Sequence, residues 1–587
     1  MKKYLVYLCS LMLVINLLGC KTDTKSAIET DTNKNPEVVR IRIVDEPDKL
    51  NPMLSTSTIS TQISSLIIQP LVEFDPHTLE INPILVESLP DEESITEGEF
   101  AGGKIYKFKL REDAVWSDGK PVTVNDYIFT LKAVFTPGME TNAWRSFLAN
   151  ISEVIPDPDN PKWFKVIVGQ AHMQAMLIAS NFNIYPKHFY DPNGYLDNFS
   201  LNELLDIEKA KELESNEQIK SFVTAFSSAT FSREIVEGSG PYQLKSWDTN
   251  QGIVLTKKEN WWGDKYANDI SLFQAYPKRI VYNIMPDEAA ALTALKDGSI
   301  DLMNDIKPAN FLALQADETY AEKLAFHSPS LLGYYYIGIN NAGKFTSDKK
   351  VRRAMALLVD VPSIINVVMK GAAKQTVGPV SPNSKYYNTS LKSLDYNVDE
   401  AKLLLKDAGW VDTNGNGTLN KVIDGKLTEF DISIMTTQRP LGKDICAIVA
   451  DGFKKVGINL TIDSKPFNLI VQDLNKRDYD LAALASRHSP GLWDPYQNWH
   501  SSSDVQGGSN RASFKNARAD ELIETIRSTT DESLRDASYK ELQEIIYDEQ
   551  GHIFLFAPAE RIAVNKKFNL KSSSRRPGFF EQQLKLN

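Results

Sequence analysis

Two short stretches of the sequence have residue types and spacings that could hold a phosphate group or a metal ion. The first, Gly238-Ser239-Gly240-Pro241-Tyr242, is glycine-rich, but no Lys-Ser or Lys-Thr pair follows and no helix opens there, so it predicts a tight turn. The second begins at Asp412 and reads D-T-N-G-N-G, which resembles the start of an EF-hand calcium loop. Its twelfth position is Ile423, where an EF-hand has a bidentate Glu, so we predict a hairpin turn ahead of a strand at residues 430–436.

The sequence contains no recognisable catalytic constellation. It has no G-x-S-x-G, no H-E-x-x-H and no G-x-G-x-x-G that opens a helix. Cys446 is the only cysteine outside the N-terminal leader, and its apolar neighbours predict a buried, inert thiol. We therefore predict a protein that is not an enzyme and needs no cofactor or bound metal. The seven histidines are scattered along the chain, and a structural or surface role is expected for each of them except His488. They are His77, His172, His188, His327, His488, His500 and His552.

Length and charge set the class of protein. A chain of 587 residues is too long for one core, so two or three lobes are expected. Hydrophobic residues make up 42% and charged residues 24%, as in ordinary globular proteins. The formal net charge of −11 argues against nucleic acid or an anionic bilayer surface as the main partner, because both attract basic patches.

The N-terminus has the features of a lipoprotein leader. Lys2 and Lys3 precede an apolar stretch that ends in Leu17-Leu18-Gly19-Cys20, and this ending resembles the bacterial lipobox. The resemblance implies a signal peptide at residues 1–19 and lipid attachment at Cys20, which would hold the protein on a membrane. Residues 20–36 are polar and predict a flexible tether.

Residues 105–135 show most clearly how the folded body is built. Tyr106, Phe108 and Leu110 alternate with basic residues, which predicts a strand with one buried face. Asp118-Gly119 then gives a turn, and Thr123 with Asp126 forms a capping box that begins a helix. Strands and helices alternate along the rest of the chain, so the predicted class is α/β with mixed sheets. Helices are also predicted at residues 63–72 and, as one long charged segment, at 201–226.

Several of these segments resemble the family 5 extracellular solute-binding proteins, the peptide and nickel receptors of ABC importers. The resemblance covers nearly all of the chain after Pro36. Residues 201–226 have no counterpart in the family. The resemblance is carried by Leu110-Arg111-Glu112-Asp113, Trp116-Ser117-Asp118-Gly119-Lys120-Pro121, Gly240-Pro241-Tyr242 with Asn260-Trp261-Trp262-Gly263, Ala294-Leu295 with Gly298 and Asp301, and Val351-Arg352-Arg353-Ala354 with Asp360.

The resemblance implies a periplasmic-binding-protein-like fold. Two lobes with mixed sheets are joined by a two-segment hinge, and an extra domain is attached to the first lobe. The first lobe would comprise residues 37–75, 233–330 and 557–587, the extra domain 76–232 and the second lobe 331–556. Chain crossings between the lobes are expected near residues 328–337 and 556–560.

The resemblance also implies which residues face a ligand. In peptide receptors of this family two backbone segments extend the bound peptide as an added strand. Here the matching segments are residues 55–58 and 486–493, with Trp144 directed toward the ligand. Relatives that bind a free amino end place an Asp about four residues before an acid-Pro pair, but counting back from Asp494-Pro495 reaches Gly491. The implied ligand-binding residues are Ser55, Thr56, Ser57, Thr58, Trp144, Arg487, His488, Ser489, Gly491 and Trp493.

The expected function is capture of an oligopeptide or similar polar solute for an ABC permease. The protein would be monomeric and anchored in the cell envelope, facing the periplasm or the exterior. The missing Asp and the neighbouring Arg487 favour anionic or blocked peptides, or another solute. A nickel chelate is a further option if His488 and Arg487 face the cleft. Two other classes stay open: a secreted lipoprotein enzyme, and a sensor or interaction protein on the same fold.

Overall fold

The computed structural model describes residues 37–587 apart from positions 56, 506 and 530. Cys20, the leader and the tether therefore lie outside the described residues, as does Thr56. Strands and helices alternate through the described chain, as the sequence predicts. They form three larger sheets, two of them mixed and one antiparallel, and three two-stranded ribbons.

The first-lobe sheet has seven strands that come from distant parts of the chain. Its central strand is buried along its whole length and runs parallel to the strand at residues 279–284. Arg40 on this strand is also buried, and its guanidinium lies 3.4 Å from the carboxylate of Asp301, which is itself fully buried. The strands lie in the order Leu324–His327, Ile562–Asn565, Leu302–Met303, Val38–Ile43, Arg279–Ile284, Gly252–Lys257 and Tyr242–Asp248.

The second-lobe sheet has six strands. Gly333–Ile339 lies at its centre and pairs in antiparallel fashion with strands on both sides. Cys446, on the helix Pro440–Lys454, is fully buried in the core of this lobe, which confirms the expected burial, and this burial raises the pKa of its thiol to about 11. The strands lie in the order Ala373–Gln375, His552–Pro558, Gly333–Ile339, Leu481–Arg487, Asp431–Thr436 and Asn459–Ser464.

The third sheet has the predicted strand and helix of residues 105–135 beside it. Tyr106 and Phe108 are buried and the alternating Lys107 and Lys109 are not, as the alternation predicts. The following helix, Val124–Phe135, has the predicted capping box: Asp126 accepts a hydrogen bond of 2.9 Å from the backbone N–H of Thr123. The strands lie in the order Asp91–Ser94, Lys104–Lys109, Trp163–Val168 and Ile151–Pro156.

The remaining elements cover these sheets. Helices of the first lobe are Thr58–Ser64, Glu288–Asp297, Pro308–Ala316 and Glu318–Ala321. Those beside the third sheet are Val124–Phe135, Asn142–Leu148, Ala175–Ser180, Lys187–Tyr190, Leu201–Leu205, Ile207–Glu212 and Glu217–Phe226. Those of the second lobe are Lys349–Leu357, Val361–Ser363, Val398–Asp407, Pro440–Lys454, Phe467–Lys476, Tyr496–Trp499, Ala517–Ser528 and Glu532–Glu549. The ribbons pair Val72–Phe74 with Ile81–Pro83, Asn420–Ile423 with Lys426–Glu429, and Phe568–Asn569 with Lys585–Leu586.

Two helix predictions are wrong in their bounds. The helix expected at residues 63–72 begins earlier, at Thr58–Ser64, because the side chain of Ser57 caps it by accepting a hydrogen bond from Ser60 N–H. The long helix expected at residues 201–226 is broken into three. Asp206 and Asn216 each accept hydrogen bonds from the two backbone N–H groups that begin the next helix, so each starts a new segment.

The cores divide the molecule into two bodies. One continuous hydrophobic core joins the first-lobe sheet to the third sheet and its helices, including the fully buried Phe222 and Phe226. The second lobe has separate cores, one of which surrounds Ile337 and Phe556. The first lobe and the extra domain therefore form one packed unit, whereas the second lobe is packed mainly on itself.

The two bodies are joined by two short chain segments that lie side by side. Residues 328–332 lead from the first-lobe sheet into the second, and residues 559–561 lead back. The N–H of Leu331 donates to the carbonyl of Pro558, and the N–H of Glu560 donates to the carbonyl of Pro329, both at 2.9 Å. This pair of crossings confirms the predicted two-segment hinge. Among the described residues no helix combines the length and apolar character that crossing a membrane requires.

We predict that acid destabilises the second lobe through His552. Its ring stacks on Tyr336 with centroids 4.6 Å apart, and burial lowers its pKa from 6.5 to about 4. As the pH falls, His552 is protonated in the unfolded chain at a higher pH than in the folded chain. The free energy of unfolding therefore decreases between pH 6.5 and pH 4, by up to about 3 kcal/mol. Thermal unfolding should show a shallower fall between pH 7 and pH 4.5 for His552→Gln than for the native chain. Equal slopes would contradict this assignment.

Candidate ligand-binding cleft

The loop at residues 488–494 follows the strand Leu481–Arg487 and lies where the second lobe meets the first. Arg487 is the last residue of this strand and pairs with Gly333, next to the hinge. The chain then leaves the sheet, so only the first part of the expected ligand-edge segment at residues 486–493 is extended. Gly491 has a φ of +92°, a conformation that favours glycine.

Gly491 lies against the first body. A Cβ atom at this position would sit 3.0 Å from the ring of Phe74, on the strand Val72–Phe74. The neighbouring carbonyl of Leu492 accepts a hydrogen bond of 3.1 Å from the side chain of Gln174. The structure therefore shows the lobes in contact at this point, and the missing side chain at Gly491 allows that approach.

A second contact between the bodies is polar. The guanidinium of Arg527 lies 2.9 Å from His172 Nε2 and 3.3 Å from the carboxylate of Asp494, and it stacks over the ring of Tyr496. Burial lowers the pKa of His172, and the positive charge of Arg527 lowers it further, against the opposite effect of Asp494. A neutral His172 can accept a hydrogen bond from Arg527, so these three residues connect the extra domain to the second lobe.

The described residues of the predicted first-lobe segment do not form a strand. Thr58 begins a helix, Ser57 caps it, and Ser55 Oγ accepts a hydrogen bond of 3.1 Å from Ser57 N–H. The expected ligand-edge strand at residues 55–58 is therefore corrected at Ser55, Ser57 and Thr58 to a helix start and the residues that precede it. The serine and threonine side chains favour this helix start because they satisfy the free N–H groups at the helix end. The indole of Trp144 donates a hydrogen bond of 3.2 Å to the carbonyl of Pro52 and packs edge-on against Phe147.

The expected residues of the second segment face different surroundings. Trp493 stacks on Tyr539 inside the second lobe, with centroids 6.0 Å apart. Ser489 is exposed. His488 is half-buried edge-on against Tyr334, and burial lowers its pKa to about 4, so its imidazole is neutral. Among the described residues no hydrogen bond or ion pair links residues 486–493 with residues 55–58.

Arg487, at the end of the strand Leu481–Arg487, lies in the field of two other arginines, Arg576 and Arg439. Burial lowers the pKa of Arg487, and the positive charges of Arg576 and Arg439 lower it further. Arg439 belongs to the second lobe and precedes the helix Pro440–Lys454, whose N-terminus adds partial positive charge. Arg576 belongs to the C-terminal segment beyond the first-lobe strand Ile562–Asn565. Within the part of the chain that the structure describes, none of the three guanidinium groups has a hydrogen bond or an ion pair.

Comparison with known proteins identifies the family. A family model described as bacterial extracellular solute-binding proteins, family 5 Middle, matches residues 80–510, which is well over half of the chain. The chain belongs to this family. The oligopeptide-binding protein AppA of Bacillus subtilis is 28% identical over 528 residues, which cover 89% of this chain and 86% of AppA.

Solved structures of family 5 proteins share the fold. The structure of AppA from Bacillus subtilis in complex with a nonapeptide aligns with a TM-score of 0.69 and 25% identity, covering 94% of this chain and 99% of that one. NikZ from Campylobacter jejuni in complex with Ni(L-His) aligns with a TM-score of 0.68 and 20% identity, covering 92% and 96%. The predicted periplasmic-binding-protein-like fold is thereby confirmed. The chain is a family 5 solute-binding protein of ABC importers and not an enzyme.

Sequence reasoning missed the residues that connect the lobes. Phe74, His172 and Gln174 come from the first body, and Arg527 comes from the second. No family motif marks them, and His172 was expected to be structural or on the surface. A local signal exists only for Arg576, which stands with Lys571 and Arg575 in a basic stretch, whereas nothing in the sequence around Arg439 marks it. Among the described residues no group of three or more His, Cys, Asp or Glu side chains could hold a metal ion.

We predict that Arg527→Ala opens the ligand-free protein. The substitution removes the hydrogen bond to His172, which joins the two bodies and contributes about 0.5–1.5 kcal/mol to the closed arrangement. The ion pair of Arg527 with Asp494 lies within the second lobe. Small-angle X-ray scattering should then show a larger radius of gyration. Arg518→Ala is the matched control, because Arg518 is an exposed arginine that pairs with Glu541 inside the second lobe. An equal increase of the radius of gyration in both variants, or no increase in either, would contradict the assignment of Arg527 as a contact between the bodies.

Proposed function

We propose that this family 5 protein captures an oligopeptide or a similar polar solute that carries an anionic group. The observation that supports this most directly is Arg487, which ends a second-lobe strand beside the hinge and has no hydrogen bond or ion pair of its guanidinium among the described residues. The positive charges of Arg439 and Arg576 both act on it. Both lobes contribute to these three charges, so an anion between the lobes would favour the closed state. The nonapeptide bound by AppA, a relative of similar length, is consistent with a peptide ligand.

The absence of an amine-binding carboxylate supports the same choice. Residues 486–493 contain no Asp or Glu, and Gly491 is in contact with Phe74. Asp494, the first acid after this segment, is occupied by Arg527. A free amino end therefore has no acidic partner on this segment. An acidic side chain, a carboxyl end or another anion would instead find guanidinium groups, which can bind it in bidentate fashion.

Within this proposal, the residues that contact the ligand are those expected from the sequence, with Arg439 and Arg576 added. Arg487 and Ser489 are exposed at the end of the strand Leu481–Arg487. Ser55, Ser57 and Thr58 would contribute from the first lobe, whereas Thr56 lies outside the described residues. Trp144 and Trp493 would act by shaping the walls, since each packs mainly inside its own body.

A nickel chelate is a second candidate, and His488 is the reason for it. Its imidazole is neutral, makes no hydrogen bond among the described residues, and lies next to Arg487 in the chain. A neutral imidazole can coordinate nickel, and an anionic chelator could be held by the arginines. The fold is shared with NikZ, whose structure contains Ni(L-His).

We predict that Arg487→Gln weakens binding of anionic peptides. The experiment uses the chain from Lys21 onward and a thermal-shift screen of acidic, neutral and basic peptides of five to nine residues. Calorimetric titration of the hits should give an affinity about 10–100-fold lower for Arg487→Gln, as expected for the loss of a charge-assisted hydrogen bond. Arg518→Gln should bind like the native chain. Tight binding of basic peptides, or equal binding by Arg487→Gln, would overturn the proposal, and a shift by nickel with histidine alone would favour the chelate.

The proposed location is the outer face of a membrane, held by a lipid on Cys20. Expression of the full chain should place it in the membrane fraction and in the detergent phase after phase separation. Cys20→Ser should move the protein to the aqueous phase, because two or three acyl chains anchor a protein firmly and the variant would carry no acyl chain. Cys9→Ser, in the same leader, is the matched control and should remain in the membrane. Loss of membrane attachment in both variants would contradict the assignment of Cys20.

A further inference from the structure

The loop at residues 412–417 has the internal arrangement of a cation-binding loop. Asp412 accepts hydrogen bonds from the N–H groups of Gly415 at 2.7 Å and Gly417 at 2.9 Å. Asn414 and Asn416 alternate with these glycines, so the oxygen-bearing side chains fall at positions one, three and five. Val411 and Asn420 form an antiparallel bridge on either side of this loop, so the loop turns the chain ahead of the strand Asp431–Thr436, as the sequence predicts. It precedes the hairpin made by Asn420–Ile423 and Lys426–Glu429.

This hairpin supplies a carboxylate that the sequence pattern lacks. Its last residue, Glu429, pairs across the ribbon with Asn420, at position nine of the loop. Glu429 Oε1 accepts hydrogen bonds from the side-chain amides of Asn414 at 2.8 Å and Asn416 at 3.3 Å. The carboxylate therefore lies beside the same side chains that a Glu at position twelve would approach in an EF-hand, although Ile423 occupies that position.

Two polar groups at this pair lack the partners that buried atoms normally have. Glu429 Oε2 is shielded from solvent and has no hydrogen-bond partner in the described chain. Asn420 is fully buried, and its Nδ2 also has no partner there, while its Oδ1 accepts a hydrogen bond of 2.6 Å from Thr413 in the loop. Buried polar atoms without a partner are rare. The Nδ2 group of Asn420 is a donor and does not point to a cation, so the Glu429 oxygen alone carries the inference. A carboxylate oxygen in this state points to a cation.

We propose that this loop and hairpin bind one calcium ion. The ligands would be the carboxylate of Asp412, the side-chain oxygens of Asn414 and Asn416, the backbone carbonyl of Thr418 and the carboxylate of Glu429. Rotation of the two amides by 180° brings their oxygens, in place of their nitrogens, towards Glu429. Oxygen donors from carboxylates, amides and a carbonyl are the set that calcium prefers, and a site with only two carboxylates binds in the weak range typical of extracellular modules.

The site would stabilise the second lobe and leave the cleft unchanged. The segment between loop and hairpin is tied to the lobe by backbone bonds of 2.8 Å, from Leu419 N–H to the carbonyl of Gly457 and from Phe430 N–H to the carbonyl of Leu419. Phe430 is fully buried and stacks on Phe345 with centroids 5.3 Å apart. A bound cation would therefore fix the hairpin on this core and raise the unfolding temperature by binding only the folded state.

The test is calorimetric titration of the chelator-treated chain, from Lys21 onward, with CaCl2 and with MgCl2. We expect one calcium site with a dissociation constant of about 10⁻⁴–10⁻³ M and binding of magnesium at least about tenfold weaker. Asp412→Asn and Glu429→Gln should each weaken calcium binding by about tenfold or more. Terbium luminescence excited through Trp410, two residues before Asp412, gives an independent readout in the same variants.

Asp424→Asn is the matched control, because Asp424 lies at the exposed tip of the same hairpin, outside the proposed ligand set, and its φ of +52° suits asparagine. It should bind calcium like the native chain. The proposal is overturned if the native chain shows no calcium-specific binding, or if Asp424→Asn loses as much affinity as Glu429→Gln. Circular dichroism shows whether each variant is folded. If the Glu429→Gln variant does not fold, the calcium affinity of the Asp412→Asn variant tests the proposal instead.

Discussion

The constraint on which the whole structure depends is that two separately packed bodies share only two short connections. Residues 328–332 and 559–561 lie side by side and exchange two backbone hydrogen bonds, but each body buries its own apolar residues. Rotation about this pair disturbs neither core. The balance between open and closed states is therefore set by the surfaces that meet when the lobes approach, and by whatever lies between them.

Those surfaces both attract and repel. Phe74 meets Gly491, and the group of His172, Arg527 and Asp494 adds polar contacts that are partly exposed and therefore weak. Arg439, Arg487 and Arg576 act in the opposite sense, because closure brings like charges together. An anion that neutralises them would turn this repulsion into attraction. The protein would then close on its ligand and remain more open without it, which is the difference that a transporter needs to detect.

Much of the fold could be predicted from local sequence, because its signals act over a few residues. The alternating strand Lys104–Lys109 and the capping box of Thr123 and Asp126 are examples. The same local reasoning failed at residues 55–58, where a Ser/Thr-rich run was expected to be extended and instead caps a helix. Along residues 201–226, Asp206 and Asn216 begin new helices within what looked like one helical pattern.

The site was less predictable because its contacts are long-range. His172 and Arg527 are 355 positions apart, and no spacing rule relates them. Arg487 was found only through the resemblance to family 5, whereas Arg439 and Arg576 come near it through the hinge and the C-terminal return. Glu429 was missed for a related reason: the EF-hand pattern expects an acid in one continuous loop, and here the hairpin register brings it from a neighbouring strand.

Native mass spectrometry of the chain from Lys21 onward, recorded before and after mild denaturation and refolding, tests the central claim most directly. We predict additional masses that correspond to co-purified short peptides or other solutes carrying net negative charge, and the loss of these masses after refolding. A clean mass before denaturation, together with no shift of the melting temperature by any anionic peptide in a library, would contradict it.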